Sequence, residues 1–190
     1  MKPVCPLCHA GAPESFATVG EKVYWRCRRC DLVYLSPGQY LDPAEEKARY
    51  ELHENDPADE GYREFLRGLI EHLVPRLEEG DTGLDYGAGP APALARMLEA
   101  KGFSMATYDP LFLSDDGALE VSYEFITCTE AAEHFHDPAR EFGRFSRLLR
   151  PGGWIGIMTR RLERLEDISV GFEDWHYRRD EAHVCFYSRP

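Results

Sequence analysis

The chain has 190 residues, 43% of them hydrophobic and 12% aromatic, which suits one packed domain plus a small satellite and excludes a disordered polymer. A formal net charge of −12 argues against broad electrostatic contact with nucleic acid or an anionic membrane. No run reaches the roughly 20 apolar residues of a membrane span, and residues 1–10 lack the apolar core of a signal peptide, so a cytoplasmic location is the expectation.

The chain opens on two Cys-x2-Cys knuckles, Cys5 with Cys8 and Cys27 with Cys30, separated by 18 residues. Each knuckle offers two sulfurs from one tight turn, and two knuckles complete a tetrahedron around Zn²⁺, with iron as the main competitor. Four thiolates leave no open coordination position, so the expected site is structural. Between the knuckles, Gly11-Ala12-Pro13 and Val19-Gly20-Glu21-Lys22 read as turns and Val23-Tyr24-Trp25-Arg26 as a strand; Ser36-Pro37-Gly38 closes the module. A segment this small cannot build its own core, so folding of the first 36 residues is expected to depend on metal. Lys22, Arg26, Arg28 and Arg29 offer the one local basic face, the alternative being a solvated hairpin. Cys128 and Cys185 stand in apolar stretches and read as core thiols.

From Asp42 the pattern is helical, with Asp42 as cap, Pro43 at the first helical position and good helix formers up to Leu52. Asn55-Asp56-Pro57 breaks this helix. A second follows, in which Tyr62, Phe65, Leu66, Leu69, Ile70, Leu73 and Leu77 recur at three- and four-residue steps; Pro75 marks its last turns and Glu79-Gly80-Asp81 ends it.

Beyond residue 80, short apolar runs alternate with helices. Thr82–Tyr86 reads as a strand entering the turn Gly87-Ala88-Gly89, and 90–100 as a helix stopped by Gly102. Phe103–Tyr108 is a second strand, Tyr123–Thr129 a buried one, 137–149 a helix, and Trp154–Thr159 a strand after the turn Pro151-Gly152-Gly153. This alternation predicts an α/β fold, a Rossmann-like parallel sheet with helices on both faces. Ligands of such sheets sit at the carboxyl ends of the strands. The expected division is a zinc ribbon over 1–38, a helical linker or lid over 39–80 and the α/β domain over 81–190.

Leu84-Asp85-Tyr86-Gly87-Ala88-Gly89-Pro90 is the strongest site signal. Its two glycines let the backbone turn sharply against a ligand, and the next helix offers N–H groups at its start. Asp109 ends the following strand, 24 residues after Asp85, where a carboxylate accepts from both hydroxyls of an adenosine ribose. A dinucleotide would need a third glycine, but Pro92 stands there, and Asp85 would repel a pyrophosphate. The same carboxylate suits a cationic ammonium and sulfonium, so S-adenosylmethionine is the expected cofactor.

The run Leu-Asp-x-Gly-x-Gly, then Tyr108-Asp109-Pro110, then Phe125 to His134, then Leu149-Arg150-Pro151-Gly152-Gly153 resembles the class I S-adenosylmethionine-dependent methyltransferases. The knuckles together with Trp175–Asp180 and His183–Ser188 resemble a bacterial subgroup with an N-terminal four-cysteine zinc ribbon. The resemblance implies that Asp85, Gly87 and Gly89 line the methionine portion of the cofactor, that Asp109 holds the ribose, and that Thr129 and Glu130 border the cofactor at the fourth strand. Tyr86, Ala88 and Pro110, in the same loops, join the cofactor set. Only residues 110–122 separate Asp109 from Tyr123, so the helix and third strand usual there must be reduced; Asp115 or Asp116 is the guess for the adenine contact. The family also adds a helix and two strands beyond the position of Pro190, so the sequence suggests a shortened sheet of about five strands.

Methyl transfer needs alignment, desolvation and, for a protonated acceptor, a base. His134 is the candidate base with Glu133 orienting it; the alternative is a surface histidine beside a helix-start carboxylate. His183, near Tyr177 and Asp180, is a second candidate. Trp175-His176-Tyr177 reads as a substrate wall or as a cover for the sheet edge, while Tyr50, His53 and Tyr62 are candidates for a cofactor lid. The leading expectation is a methyltransferase acting on a small-molecule acceptor. The alternatives are a ribbon binding module on a degenerate scaffold, an RNA methyltransferase that docks through the ribbon's arginines, and, more distantly, a dinucleotide oxidoreductase.

Overall fold

In chain order the elements are β1 (Glu14–Val19), β2 (Lys22–Arg26), β3 (Val33–Leu35), α1 (Pro43–Tyr50), α2 (Glu60–Leu73), β4 (Thr82–Tyr86), α3 (Ala93–Glu99), β5 (Ser104–Tyr108), β6 (Tyr123–Thr129), α4 (Pro138–Leu148), β7 (Leu149–Met158) and β8 (Cys185–Phe186). The computed structural model describes residues 3–51, 56–162 and 171–189; His53, one of the lid candidates, lies outside them. These elements gather into two units, one formed by residues 1–49, 132–141 and 159–190, the other by 50–131 and 142–158.

The first unit is an antiparallel sheet in the order β1-β2-β3-β8. β8 comes from the far end of the chain and pairs Phe186 with Val33 and Cys185 with Tyr34. Residues 159–162 and 171–189, which the sequence assigns to the α/β part, thus fall in the ribbon's unit, and several of them join its sheet and core. The physical reason is the ribbon's shortage of apolar surface. Tyr24, Leu32, Val33, Tyr34 and Leu35 are buried only because Phe172, Trp175, Tyr177, Val184 and Phe186 join them in one cluster. Trp175 lies within it, with ring centroids 5.1 Å from Tyr177, 5.9 Å from Phe186 and 6.4 Å from Phe172. The strands around the knuckles therefore rest on a protein core and not on the four cysteines alone.

The second unit is a parallel sheet in the order β5-β4-β6-β7. On it, α2 buries Leu66, Ile70 and Leu73 against Leu94, Met97 and Leu98 of α3 and Phe125 of β6. Its N-terminus is capped by Asp59, which accepts from the Tyr62 N–H at 2.6 Å. α3 begins at Ala93, three residues later than the sequence suggests, because Pro90 and Pro92 lack N–H groups and push the residues before them out of the helical region. Between Asp109 and β6 the backbone forms only a 3₁₀ turn, Asp116–Leu119, so four strands make up this sheet among the described residues. The chain leaves β4 to pair β5 on one side and β6 on the other. That reversal is the topological switch point at which such sheets bind ligands.

Trp175 is 1% exposed, so Trp175→Ala should cost about 3–5 kcal/mol of stability. In urea unfolding, the transition should move to lower denaturant together with release of the ribbon's metal to a chromogenic chelator. Metal release unmoved by the substitution would contradict a shared core.

Candidate active site and metal centre

At the carboxyl end of β4 the chain turns through Gly87 and Gly89, both left-handed, with φ of 75° and 64°. The Gly87 and Ala88 N–H groups donate to the Tyr108 carbonyl at 2.8 and 3.3 Å, which ties the turn to the end of β5. A Cβ on Gly87 would lie 2.5 Å from that of Ala131, so glycine is demanded here by space as well as by φ. Asp109 completes the turn. Its Oδ2 accepts from Gly89 N–H at 2.9 Å, and its Oδ1 accepts from Leu111 and Phe112 N–H at 2.8 and 3.1 Å. Glu130, at the end of β6, is a non-glycine residue with φ of 48°, and its N–H is held by the Met158 carbonyl at 2.9 Å. Strained backbone of this kind collects at functional sites.

Asp85 is 2% exposed and accepts from the Thr127 hydroxyl at 2.8 Å and from the Ala95 N–H. Burial pushes its carboxyl up to about 6 against the pull of these bonds, and the nearby Asp109 charge adds to the rise. The Tyr62 phenol is raised by burial and by the charges of Asp85 and Glu130, which brings α2 to the site. Tyr62 is one of the lid candidates of the sequence, whereas nothing in the pattern singles out Thr127. Tyr50 stacks edge-on against Phe112 at 6.4 Å, beside the Asp109 loop. Tyr86 contributes its backbone to the turn, while its ring packs on Tyr108 and Phe145 and its hydroxyl meets Arg144. Pro110 is exposed on the Asp109 loop, and Thr129 and Glu130 are half-buried at the end of β6. A groove of about 550 Å³ runs along β5, lined by Thr107, Asp115, Gly117, Ala118 and Tyr123 among others. It follows the sheet edge, where a third strand would lie, and not the glycine turn. Asp115 faces it while capping the turn below through Gly117 N–H at 2.9 Å.

The two knuckles are built alike. Cys5 and Cys27 N–H donate to the Ala10 and Leu32 carbonyls at 3.0 and 2.9 Å. His9 and Asp31, each following a second cysteine, are left-handed and donate to the Cys5 and Cys27 carbonyls at 3.0 Å. Cys5 and Cys30 sulfurs stand 3.6 Å apart, and those of Cys8 and Cys27 3.4 Å. Four sulfurs around zinc at a Zn–S distance of about 2.3 Å would be about 3.8 Å apart, so the cage fits that ion with little adjustment. His9 is not among the clustered ligand atoms. Cys128 and Cys185 are both fully buried, as core thiols should be.

Glu133, His134 and His183 come together in the first unit, with one ligand atom from each within 4.8 Å of the others. Residues 132–135 are stitched to 182–187 by Val184 N–H on the Glu133 carbonyl, the Cys185 thiol on the Phe135 carbonyl and the Tyr187 hydroxyl on the Ala132 carbonyl. Glu133 is fully buried and His183 8% exposed. Asp180, also nearby, is held down to about 2: burial opposes this, but the Ala182 N–H, Arg49 and the charge of His183 outweigh it.

A methyltransferase-domain family model matches residues 58–190, more than two thirds of the chain. The chain belongs to this methyltransferase family. It is also similar to the ubiquinone biosynthesis O-methyltransferases of Sodalis glossinidius (32% identity over 48% of the chain and 37% of that protein), Leptothrix cholodnii (30%, over 49% and 31%) and Serratia proteamaculans (29%, over 48% and 38%). The match spans 31–38% of the length of these curated relatives. No helix among the described residues is long and apolar enough to cross a membrane.

The raised Asp85 carboxyl makes a prediction about stability. Its neutral form is preferred by the folded state, so the stabilisation is complete below about pH 4, is lost as pH rises through about 6, and is absent above. Asp85→Asn should therefore be more stable than the parent at pH 8, by on the order of 1–3 kcal/mol, and should lose this advantage towards pH 4. Urea unfolding at both pH values checks it; an equal difference at the two would show that Asp85 does not carry a buried charge.

Proposed function

We propose that the chain binds S-adenosylmethionine at the β4–β6 switch point and transfers its methyl group to a small-molecule acceptor. The observation that carries this is the Asp109 carboxylate. Three backbone N–H groups orient it beside the Gly87–Gly89 turn, and Oδ2, which accepts from Gly89, keeps a second lone pair for a ribose hydroxyl. Asp85 supplies a carboxylate behind the turn, whose charge favours an ammonium group. Tyr50 and Tyr62 would cover the cofactor, their ring faces suited to a sulfonium. When bound, the cofactor supplies a methyl group already activated by its positive sulfur.

The names of the relatives support an oxygen acceptor. A hydroxyl acceptor must lose a proton, and His134 with His183 and Glu133 is the group we assign to that task. His134 Nδ1 donates to the Ala182 carbonyl at 3.1 Å, which leaves the basic lone pair on Nε2. The small-molecule reading is preferred over the RNA one because three of the ribbon's four basic residues face carboxylates, Arg26 with Asp31, Arg28 with Glu14 and Lys22 with Glu181.

Calorimetric titration of the full chain with S-adenosylhomocysteine tests the cofactor site. Saturable binding is expected, weakened at least about tenfold in Asp109→Ala, the loss of one charge-assisted hydrogen bond of about 1.5–3 kcal/mol. A folded Asp109→Ala variant that binds as the parent does would remove Asp109 from the site.

A further inference from the structure

We propose that Glu133, His134 and His183 form a second metal site, separate from the four-cysteine cage, that takes a divalent first-row transition cation. One carboxylate oxygen and two imidazole nitrogens within 4.8 Å of one another make a donor set of two nitrogens and one oxygen. Such donors suit zinc, iron, cobalt or manganese, and three protein ligands leave coordination positions open.

The hydrogen bonds around the trio are those of a ligand set. His134 Nδ1 lies 3.1 Å from the Ala182 carbonyl and His183 Nδ1 2.6 Å from the Tyr177 carbonyl. A carbonyl only accepts, so both Nδ1 atoms carry the proton and both Nε2 atoms carry the ligating lone pair. Metal-bound histidines are oriented in this way, the far ring nitrogen donating to a backbone carbonyl. The rings meet edge-on with centroids 4.6 Å apart, and the His183 ring also rests on Tyr177 at 4.2 Å, so neither turns without disturbing the core. Glu133 and His134 come from the segment after β6 and His183 from the segment before β8. The Val184 N–H to Glu133 carbonyl bond at 2.9 Å holds the two together before any metal arrives. A divalent cation offsets the cost of burying the Glu133 carboxylate.

The site stands on its own geometry and does not depend on the cofactor reading.

Titration of the tag-free, zinc-ribbon-loaded chain with Co²⁺, followed by visible absorption and calorimetry, tests the proposal. One saturable equivalent with the weak bands of nitrogen and oxygen ligation is expected, without the intense thiolate charge-transfer bands of a cysteine cage. Glu133→Gln and His183→Gln, each matched to the parent by near-ultraviolet circular dichroism, should bind cobalt at least about tenfold more weakly. No saturable equivalent in the parent chain would overturn the proposal, whatever the variants do. Unchanged affinity in both folded variants would overturn it as well.

Discussion

The Asp109 carboxylate is the joint on which the candidate site depends. Its Oδ2 fixes the second glycine of the turn after β4, and its Oδ1 fixes the two residues that follow the proline after β5. A single side chain thus sets the distance between two loops from neighbouring parallel strands, and it does so with charge-assisted bonds, stronger than the neutral ones around them. The glycine turn can then be tight, with Gly87 against Ala131, because its backbone donors are already satisfied by the Tyr108 carbonyl and by Asp109. A rigid loop pair of this kind costs less to order when a ligand arrives.

Charge is the second constraint. Asp85 is kept in the interior even though burial raises its carboxyl to about 6, and two bonds from Thr127 and Ala95 only moderate the rise. A neutral residue would be cheaper there. A folded state that accepts such a cost at the end of β4, alongside the left-handed Glu130 at the end of β6, has the signature of a site held for function at the expense of stability. Tyr62 senses both carboxylates and so belongs to the same electrostatic neighbourhood.

Much of this was legible from periodicity and turn chemistry. Thr82–Tyr86 and Tyr123–Thr129 are strands over the expected residues, because a run of apolar or small residues bounded by glycine or proline has few other solutions. The knuckles were legible because spacing alone dictates which sulfurs meet. Four features were not. The start of α3 lies beyond Pro90 because Pro92 disfavours the helical region for Ala91, an effect that apolar periodicity does not carry. The pairing of β8 with β3 joins residues some 150 positions apart, and no local pattern encodes a contact of that range. The convergence of Glu133 and His134 with His183 follows from that pairing, so the sequence named all three residues but could not assemble them. Thr127 escaped because a buried threonine in a β-rich run looks like any other strand residue.

Hydrogen–deuterium exchange of the full chain, with and without S-adenosylhomocysteine, bears most directly on the central claim that the ends of β4, β5 and β6 form one nucleoside site. Slower exchange is expected in peptides covering 86–91, 109–113 and 129–131. Binding that instead protects the β5 edge groove around Asp115 to Ala118, or that leaves the glycine turn unprotected, would contradict it.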